Sequence, residues 1–307
     1  MVQCGASVAG KAPARNDPST TDHCPLTTDP RYNHLMSDVW RLLISPSASG
    51  RRNMAVDEAI LEAVAAAASP PTLRLYAWDP PCLSLGRAQP IEVVDEPALA
   101  ATGWDLVRRP TGGRALLHAD ELTYAVVAPD RMPALSGGVL ASYRELSRGL
   151  LAGLERLGLH PDPPAHAELT EADRSNPVCF EVPSAYEITV GGRKLIGSAQ
   201  LRRRGVVLQH GSLPLEGDIT RVARVLRHAD PVEQHQAAGR LTRHAVTLKD
   251  LLGSVVPWEE ASRALQAGFA QALGWNFIAA DLTSLEALRA QQIETERNQV
   301  EESARAS

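Results

Sequence analysis

The chain has 307 residues, 44% of them hydrophobic, and a formal net charge of −5. This length can bury a substantial core, as one large domain or two small ones. The slight acidity gives no overall positive field that would draw the protein to nucleic acid or to an anionic membrane. No run is long and apolar enough to span a bilayer, and the N-terminus lacks the apolar stretch of a secretory signal. We therefore expect a cytoplasmic protein with neither nucleic acid nor membrane as a partner.

The spacing of cysteines and histidines argues against bound metal. The four cysteines, Cys4, Cys24, Cys82 and Cys179, are scattered without a CxxC pair, so the sequence predicts neither a disulfide framework nor a zinc site. The nine histidines include no HExxH spacing, and no helical pattern pairs them with acids. We expect reduced thiols and no metal.

Composition divides the chain into three segments. Residues 1–33 are rich in Pro, Ser, Thr and Asp and lack hydrophobic periodicity, which predicts a disordered extension. Residues 34–280 carry strand and helix patterns. Residues 281–307 are predicted to form a helical or disordered tail.

The first half of the patterned region predicts strands with helices between them. "WRLLIS" predicts a strand, and "NMAVDEAILEAVAAAA" predicts a helix with Asn53 as its N-cap. "PTLRLYAW" and "PCLSLG", on either side of a Pro80-Pro81 turn, predict a β-hairpin. A short helix near residues 96–101 then precedes three strands, "DLVRRP", "RALLH" and "LTYAVVAP".

The second half predicts a long helix, a meander and a helical end. Leucines recur every three or four residues in "ASYRELSRGLLAGLERLGL", which predicts an amphipathic helix. "AYEITV", "RKLIGSAQ" and "GVVLQHGSLPL" predict an antiparallel meander with a Gly-Gly turn, and helices are predicted over 218–226, 248–252 and 258–273. Together these elements predict an α+β fold, a mixed and mainly antiparallel sheet flanked by helices. A doubly wound parallel sheet is disfavoured because strict βαβ alternation and nucleotide-binding glycine motifs are missing.

The glycine-rich stretch "RRPTGGRALLH", Arg108 to His118, is the first candidate for chemistry. Its two glycines permit positive φ and a close approach of the backbone, so its N–H groups could face an anion or a carbonyl. A plain hairpin turn with solvated arginines explains the motif equally well. His118 alone is more often structural than catalytic.

The stretch "RSNPVCFEVPS" presents Cys179 as a candidate nucleophile. Its polar, proline-punctuated flanks place the cysteine in a loop, and a neighbouring ammonium would increase its thiolate fraction. Lys194 follows the Gly191-Gly192 turn of the predicted hairpin, which brings it back toward this loop. For both residues an ordinary structural role stays open, since free cysteine is commonly buried and hairpin lysines are common.

The stretch "IGSAQLRRRGVVLQHGSLPL" is the third candidate. Gly197, Ser198 and Ala199 are small enough for a substrate to lie close to the strand. Polar groups are expected opposite one another on the paired strands, from Gln200, Gln209 and His210. An edge hairpin with an arginine turn is the alternative.

Three longer segments resemble a known superfamily: "NMAVDEAIL", "RRPTGGRALLHADELTY" and "CFEVPSAYEITVGGRKLIGSAQLRRRGVVLQHGSLPL". They resemble the biotin/lipoate A/B protein ligases and transferases, above all the octanoyl-[acyl carrier protein]:protein N-octanoyltransferases that modify the glycine cleavage H protein. The resemblance runs from about Trp40 to Trp275. It implies that residues 34–280 form a biotin/lipoate ligase-like catalytic domain, a mixed sheet flanked by helices.

The resemblance also implies roles for particular residues. Cys179 would carry an acyl-thioester intermediate, and Lys194 would lower the pKa of its thiol. The substrate-binding residues implied by the matching motifs are Arg108, Arg109, Thr111, Gly112, Gly113, Arg114, His118, Gly197, Ser198, Ala199, Gln200 and His210.

The implied reaction is ATP-independent octanoyl transfer in lipoate biosynthesis. Octanoyl would pass from acyl carrier protein through Cys179 to a lysine of a lipoyl domain such as the H protein, with ping-pong kinetics, no metal and no cofactor beyond the donor's phosphopantetheine. One alternative is an ATP-dependent lipoate–protein ligase, which would use Lys194 and not need Cys179. The other is a non-catalytic acyl- or carrier-binding module, against which the intact Cys179 and Lys194 argue.

Overall fold

The computed structural model describes residues 39–162 and 187–306, with side chains as far as Arg297. The strands are β1 (Val39–Ile44), β2 (Thr72–Tyr76), β3 (Cys82–Leu85), β4 (Asp105–Arg108), β5 (Leu116–His118), β6 (Glu121–Pro129), β7 (Ile188–Val190), β8 (Arg193–Arg203), β9 (Val206–Pro214) and β10 (Asn276–Ala279). The α-helices are α1 (Gly50–Ala65), α2 (Glu96–Thr102), α3 (Val139–Arg156), α4 (Pro231–His244), α5 (Leu248–Leu252), α6 (Trp258–Leu273) and α7 (Ser284–Ala306). The segment predicted to be a disordered extension lies outside the described residues.

Two sheets organise these elements. A seven-stranded sheet has the order β10-β1-β2-β6-β9-β8-β7, and a three-stranded sheet has the order β4-β3-β5. In the large sheet β1 pairs parallel with β10 and β2, and the remaining pairs are antiparallel. The predicted mixed, mainly antiparallel sheet flanked by helices is confirmed, and so is the predicted meander of β7, β8 and β9.

Helices cover both faces of the large sheet. Because side chains alternate along a strand, Tyr124 and Val126 of β6 join one core cluster while Ala125 and Val127 join another. The first cluster contains apolar residues of α3 and α6, and the second contains those of α1 and α7. A third cluster packs the small sheet against α4 and a 3₁₀ helix, Ile219–Val225.

The predicted hairpin of β2 with β3 is wrong. Both edges of β2 are occupied, by β1 and β6, and β3 belongs to the small sheet, between β4 and β5. Pro80 and Pro81 have no N–H to donate to a strand ladder. The chain therefore crosses from one sheet to the other at this point, and the space between the sheets becomes the candidate site described below.

The predicted N-cap of α1 is also wrong. The helix begins at Gly50, and the Ser49 side chain accepts from the Arg52 N–H. Asn53 lies fully buried inside the helix, where its amide donates to the carbonyls of Ala48 and Ala77. Asn53, at the start of an apolar pattern, thus makes tertiary hydrogen bonds instead of capping the helix.

Several elements in the C-terminal part of the chain were missed by the sequence analysis or differ from it. Sequence patterns did not predict α4 or β10, and the predicted helix over 218–226 is a 3₁₀ helix. The tail forms α7, whose first turn is capped reciprocally by Thr283 and Glu286. Glu286 is buried and forms a bidentate pair with Arg41 of β1 at 2.6 and 2.7 Å.

None of the helices in the described part of the chain combines the length and apolar character needed to cross a membrane.

The packing of α3 against α6 depends on glycines at the contact. A Cβ on Gly268 would lie 2.3 Å from the Gly153 backbone nitrogen and 2.4 Å from the Gly149 carbonyl oxygen. A Cβ on Gly149 would lie 2.3 Å from the Phe269 ring. The helices can approach this closely only because these positions carry no side chain.

We predict that Gly268→Ala destabilises the protein by about 1–3 kcal/mol, because the new methyl group meets backbone that cannot rotate away. The matched control is Gly239→Ala in α4, where a Cβ meets only the Arg243 guanidinium, at 3.5 Å. That substitution should stabilise by up to about 1 kcal/mol through helix propensity. Urea unfolding measures both, and equal effects would contradict this account of the helix contact.

Candidate active site

A pocket lies between the large sheet and the small one, enclosing about 440 Å³ of open space including its mouth. Apolar and aromatic groups form much of its lining, from Met54, Tyr76, Trp78 and Leu116. Seven of the residues predicted to bind substrate also line it: Arg109, Gly113, His118, Gly197, Ser198, Ala199 and His210. The structure thus brings the glycine-rich loop and the Gly-Ser-Ala strand to the same pocket.

His118 and Trp78 form one rigid wall. Their rings stack with centroids 4.0 Å apart. His118 Nδ1 lies 2.7 Å from Glu121 Oε1, and its Nε2 lies 2.8 Å from Ser84 Oγ. The Trp78 indole donates to Thr123 Oγ1 at 2.7 Å. Because both nitrogens of His118 are engaged by the protein, the ring serves as a wall.

Arg109 braces the glycine-rich loop from within. Its Nη2 donates to the carbonyls of Gly112 and Arg114 at 2.9 and 2.7 Å. Its Nη1 donates to Ser84 Oγ at 2.9 Å, which links the loop to the His118 wall. The Arg109 side chain is buried, and its hydrogen bonds hold the loop against β3.

The carbonyls of Thr111, Gly112 and Arg114 accept hydrogen bonds, but two N–H groups of the loop have no described partner. Gly112 and Gly113 are exposed, and within the described residues neither N–H donates a hydrogen bond. Gly113 has φ +93°, a conformation that L side chains rarely adopt. The two glycine N–H groups thus have no partner within the described residues, and the prediction that they face an anion or a carbonyl stays a prediction.

Gly86, at the end of β3, is part of the site although the sequence analysis did not select it. A Cβ there would lie 1.9 Å from the Gly113 carbonyl oxygen. The exposed Arg108 donates to the Gly86 carbonyl at 2.9 Å and lies outside the pocket lining. A glycine at the end of a predicted strand is a signal of close backbone approach, and this one permits the loop to close on β3.

Thr111 ties the loop to the large sheet through a buried chain of polar groups. Thr111 Oγ1 lies 2.7 Å from His210 Nε2, and His210 Nδ1 lies 3.3 Å from Asp57 Oδ2. Asp57 in turn accepts from Arg74 Nη1 at 2.7 Å and from the Tyr76 hydroxyl at 3.0 Å. Sequence analysis selected Thr111 and His210 but not Asp57 or Arg74. The available signal was a charged residue inside an apolar pattern, in "NMAVDEAIL" and in "TLRLY".

The buried chain has defined protonation states. Burial opposes ionisation of Asp57, but the Arg74 guanidinium and the hydrogen bond from His210 hold its pKa below the ordinary value of 3.8. Burial lowers the pKa of His210 below its ordinary value of 6.5, against the opposing influence of Asp57. At neutral pH we therefore expect an ionised Asp57 and a neutral His210 that donates from Nδ1 and accepts the Thr111 hydroxyl at Nε2.

The polar residues of β8 and β9 divide between the two faces of the sheet. Gln200 pairs directly with Gln209, as expected, and donates to it at 2.9 Å. Gln209 donates to the Tyr124 hydroxyl on the α3 side, whereas His210, the next residue, faces the pocket. Gln200 therefore supports the strand from behind, because neighbouring residues in a strand point to opposite faces.

Lys194 is buried at the base of the predicted hairpin. Its side chain is 3% exposed and forms an ion pair with Glu187, and residues 191 and 192 make the predicted turn. Its predicted partner Cys179 lies outside the described residues, so the Cys–Lys pairing stays a prediction. Burial raises the pKa of the thiol of Cys82 well above its usual value, so that cysteine is a packing residue.

Comparison with known proteins agrees with this arrangement. The model of the lipoyl protein ligase A/B catalytic domain matches residues 49–270. The chain belongs to that family. Octanoyltransferase LipM of Kyrpidia tusciae is 45% identical over 260 residues, covering 83% of this chain and 94% of that protein. Octanoyltransferase LipM of Symbiobacterium thermophilum is 44% identical over 266 residues, covering 84% and 95%.

Membership of the lipoyl protein ligase A/B family confirms the resemblance seen in the sequence. With two named octanoyltransferases among its similar relatives, the protein is an acyltransferase. A bipartite lipoate protein ligase from Thermoplasma acidophilum shares the fold with a TM-score of 0.69 and 24% identity, covering 83% of this chain and 91% of that one. Ligases and transferases thus share this architecture, so the two classes must be distinguished by the reactions that they catalyse.

We predict that His210 makes stability pH-dependent. Its pKa is lowered on folding, so the unfolded chain binds the proton first, and stability present above pH 6.5 is lost as the pH falls below that value. The loss should approach about 1.4 kcal/mol per pH unit. Asp57 adds a further loss only below pH 3.8, its ordinary pKa.

The measurement is urea unfolding of wild type and His210→Gln between pH 7.5 and 5.5. The glutamine keeps a polar partner for Thr111 but does not titrate, so its free energy of unfolding should fall less steeply. Parallel curves for the two proteins would show that folding does not lower the pKa of His210.

We predict that Gly86→Ala slows acyl transfer on the order of a hundredfold, because the new methyl group displaces the Gly113 carbonyl and misplaces the loop. Gly112 and Gly113 are exposed and can move without unfolding the core, so the melting temperature should stay close to wild type. Gly138→Ala is the control, since a Cβ there meets nothing within 4 Å. A fully active Gly86→Ala enzyme would show that the close approach of Gly86 to Gly113 is not needed for acyl transfer.

Proposed function

We propose that this protein transfers an octanoyl group from octanoyl-acyl carrier protein, through a thioester on Cys179, to a lysine of a lipoyl domain such as the glycine cleavage H protein. Its family membership and the octanoyltransferases among its relatives support the reaction class. The observation that carries the proposal is the pocket between the two sheets. It joins an apolar interior to a loop in which the Gly112 and Gly113 N–H groups donate no hydrogen bond to any other described residue.

The pocket suits a linear acyl chain. Met54, Tyr76 and Trp78 provide an interior for methylene groups, and burying each methylene contributes about 0.8 kcal/mol. On the opposite wall, Gly197 and Ala199 of β8 have little or no side chain and so leave room for the acyl chain beside the strand. A polar or branched substrate would gain less here than a saturated chain.

The first chemical step is thiol exchange. The Cys179 thiolate attacks the octanoyl carbonyl, the bond from that carbon to the phosphopantetheine sulfur breaks, and a bond to Cys179 Sγ forms. The departing thiolate takes a proton and leaves with the carrier. Because the donor is already a thioester, the proposal needs neither ATP nor a further cofactor.

The second step forms an amide. The ε-amine of the acceptor lysine attacks the acyl-enzyme, loses a proton, and displaces the Cys179 thiolate. One product leaves before the acceptor enters, which gives ping-pong kinetics. Thioester-to-amide conversion is downhill, so the transfer needs no additional energy source.

Residues of the described structure would support both steps. In the first step the ammonium of Lys194 would stabilise the Cys179 thiolate and then give its proton to the departing carrier thiolate. The neutral amine of Lys194 that results would take the proton from the attacking acceptor amine in the second step. The N–H groups of Gly112 and Gly113 would bind the developing oxyanion. Their lack of hydrogen bonds to other described residues supports this role.

The test is the intact mass of the protein after incubation with octanoyl-acyl carrier protein in the absence of ATP. We expect one octanoyl group on wild type, removable by hydroxylamine. We expect none on Cys179→Ala. Cys82→Ala is the matched control and should still be acylated, since Cys82 is buried with a raised thiol pKa.

A different pattern would identify a ligase. If wild type takes no acyl group from the carrier, but ATP with octanoate or lipoate modifies a lipoyl domain even in Cys179→Ala, the proposal is wrong. Binding of the carrier with neither activity would instead indicate a non-catalytic module.

A further inference from the structure

A broad basic cleft lies beside the acyl pocket and is not used by the chemistry above. It is open to solvent and spans about 1540 Å³, a figure that includes the solvent space at its mouth. Six arginines and two glutamates line it, an unusual concentration of positive charge in a chain with a net charge of −5. We call it the arginine cleft and define it by Arg87, Arg108, Arg109, Arg202, Arg203 and Arg297.

Both glutamates of the arginine cleft are already paired. Arg297 of α7 forms an ion pair with Glu58 of α1 and also donates to the Arg108 carbonyl at 3.2 Å. Glu296 accepts from Arg289, which lies outside the cleft lining, at 3.0 Å. The remaining arginines therefore give the cleft a surplus of positive charge.

The arginines differ in how far they are committed to the protein. Arg109 is buried against loop carbonyls, and Arg202 donates to the Leu135 carbonyl at 2.8 Å and to Ser142 Oγ at 2.9 Å. Arg87 and Arg203 are exposed, and among the described residues their guanidinium groups donate no hydrogen bond. These two side chains can turn toward a ligand at little cost to the fold.

The arginine cleft and the acyl pocket are adjacent. Arg109 lines both, and the glycine-rich loop stands between them. A donor with its acyl chain in the pocket would therefore extend its other end over the loop and into the cleft. A carrier arm that crosses the loop on this side would meet these arginines.

We infer that the arginine cleft is the docking surface for an acidic acyl carrier protein and for the phosphodiester of its pantetheine arm. The inference rests on the proposed function and extends it to the surface that selects the donor. Arginine suits this role, because its planar guanidinium binds phosphate oxygens in pairs and stays charged at all working pH values.

The extent of the cleft favours a protein partner over a compact anion. Its arginines come from the segment after β3, from β4, from β8 and from α7. A single phosphate would reach only a few of them, whereas an acidic protein face with a phosphate at its centre would engage all the exposed ones. Complementary charge of this kind speeds association and selects the partner.

The test reverses charge at the two uncommitted positions. Arg87→Glu/Arg203→Glu is compared with Arg227→Glu/Arg263→Glu, two exposed arginines outside the cleft lining. Both double variants carry the same net charge, so only the position of the change differs. Melting temperatures are expected to match wild type, since all four side chains are exposed.

The first readout is binding of acyl carrier protein by fluorescence anisotropy, which needs no turnover. We expect the cleft variant to bind roughly ten- to a hundredfold more weakly than wild type at low salt, and the control variant to bind within about twofold. Wild-type binding should weaken as salt screens the charges, and binding by the cleft variant should depend less on salt. Arg87→Gln/Arg203→Gln, which removes charge without reversing it, should fall between the two.

The second readout is the rate of enzyme acylation from two donors. Octanoyl-acyl carrier protein should acylate the cleft variant more slowly, in proportion to the lost binding. Octanoyl-pantetheine, which has neither phosphate nor carrier, should acylate it at the wild-type rate. This separation distinguishes a docking defect from damage to the pocket.

Three results would overturn the inference, and they are distinguishable. Unchanged carrier binding by the cleft variant would reject the surface while leaving octanoyl transfer intact. Equal loss with octanoyl-pantetheine would show that the arginines support the pocket rather than the carrier. No acylation of wild type by either donor, together with ATP binding that depends on Arg87 and Arg203, would reject both the carrier surface and the proposed function.

Discussion

The site is organised around the buried ion pair of Asp57 and Arg74. Taking two charges out of water is costly, and removing one partner from such a pair typically costs about 3–5 kcal/mol. Here every oxygen of the carboxylate has a partner, with Tyr76 and His210 completing the shell of Asp57. The pair connects α1 to β2, and through His210 to β9 and the loop at Thr111. The loop that would bind the substrate is thus held in place by the core.

Most polar side chains around the pocket form hydrogen bonds that hold its walls in place. His118 is bonded at both ring nitrogens, and Arg109 is bonded to loop carbonyls. Among the described residues, the rest of the lining is mainly apolar surface, small residues on β8 and Gly113 of the loop. Such a site has few groups with which to bind a polar substrate, but it can fix a saturated chain and stabilise charge at one end of it. This balance fits transfer of an acyl group better than recognition of a nucleotide by side chains.

Local patterns in the sequence were enough to predict the sheet, the main helices and the motifs that meet at the pocket. Periodicity predicted α3 and the meander, because those elements bury regular apolar faces. It failed where long-range contacts decide the outcome. The short strand β10 exists because β1 offers it a parallel edge, and the strands on either side of Pro80 separate because both edges of β2 are filled.

The same reason explains which site residues could be predicted. Gly113 and His210 belong to motifs that resemble the family, so their pocket location could be expected. Asp57 looks from the sequence like an ordinary acid in the first turns of a helix. Only the fold shows that Arg74 lies opposite it. Gly86 likewise acquires its meaning from the carbonyl of a residue far along the chain.

The central claim is that the pocket between the sheets holds the acyl chain of an octanoyl-enzyme. The most direct measurement is a crystal structure of the wild-type protein after incubation with an octanoyl thioester donor. The account predicts continuous density from Cys179 into the pocket, with the chain between Trp78 and β8 and the carbonyl oxygen near the N–H groups of Gly112 and Gly113. An acyl chain bound elsewhere, or attached to a different residue, would contradict it.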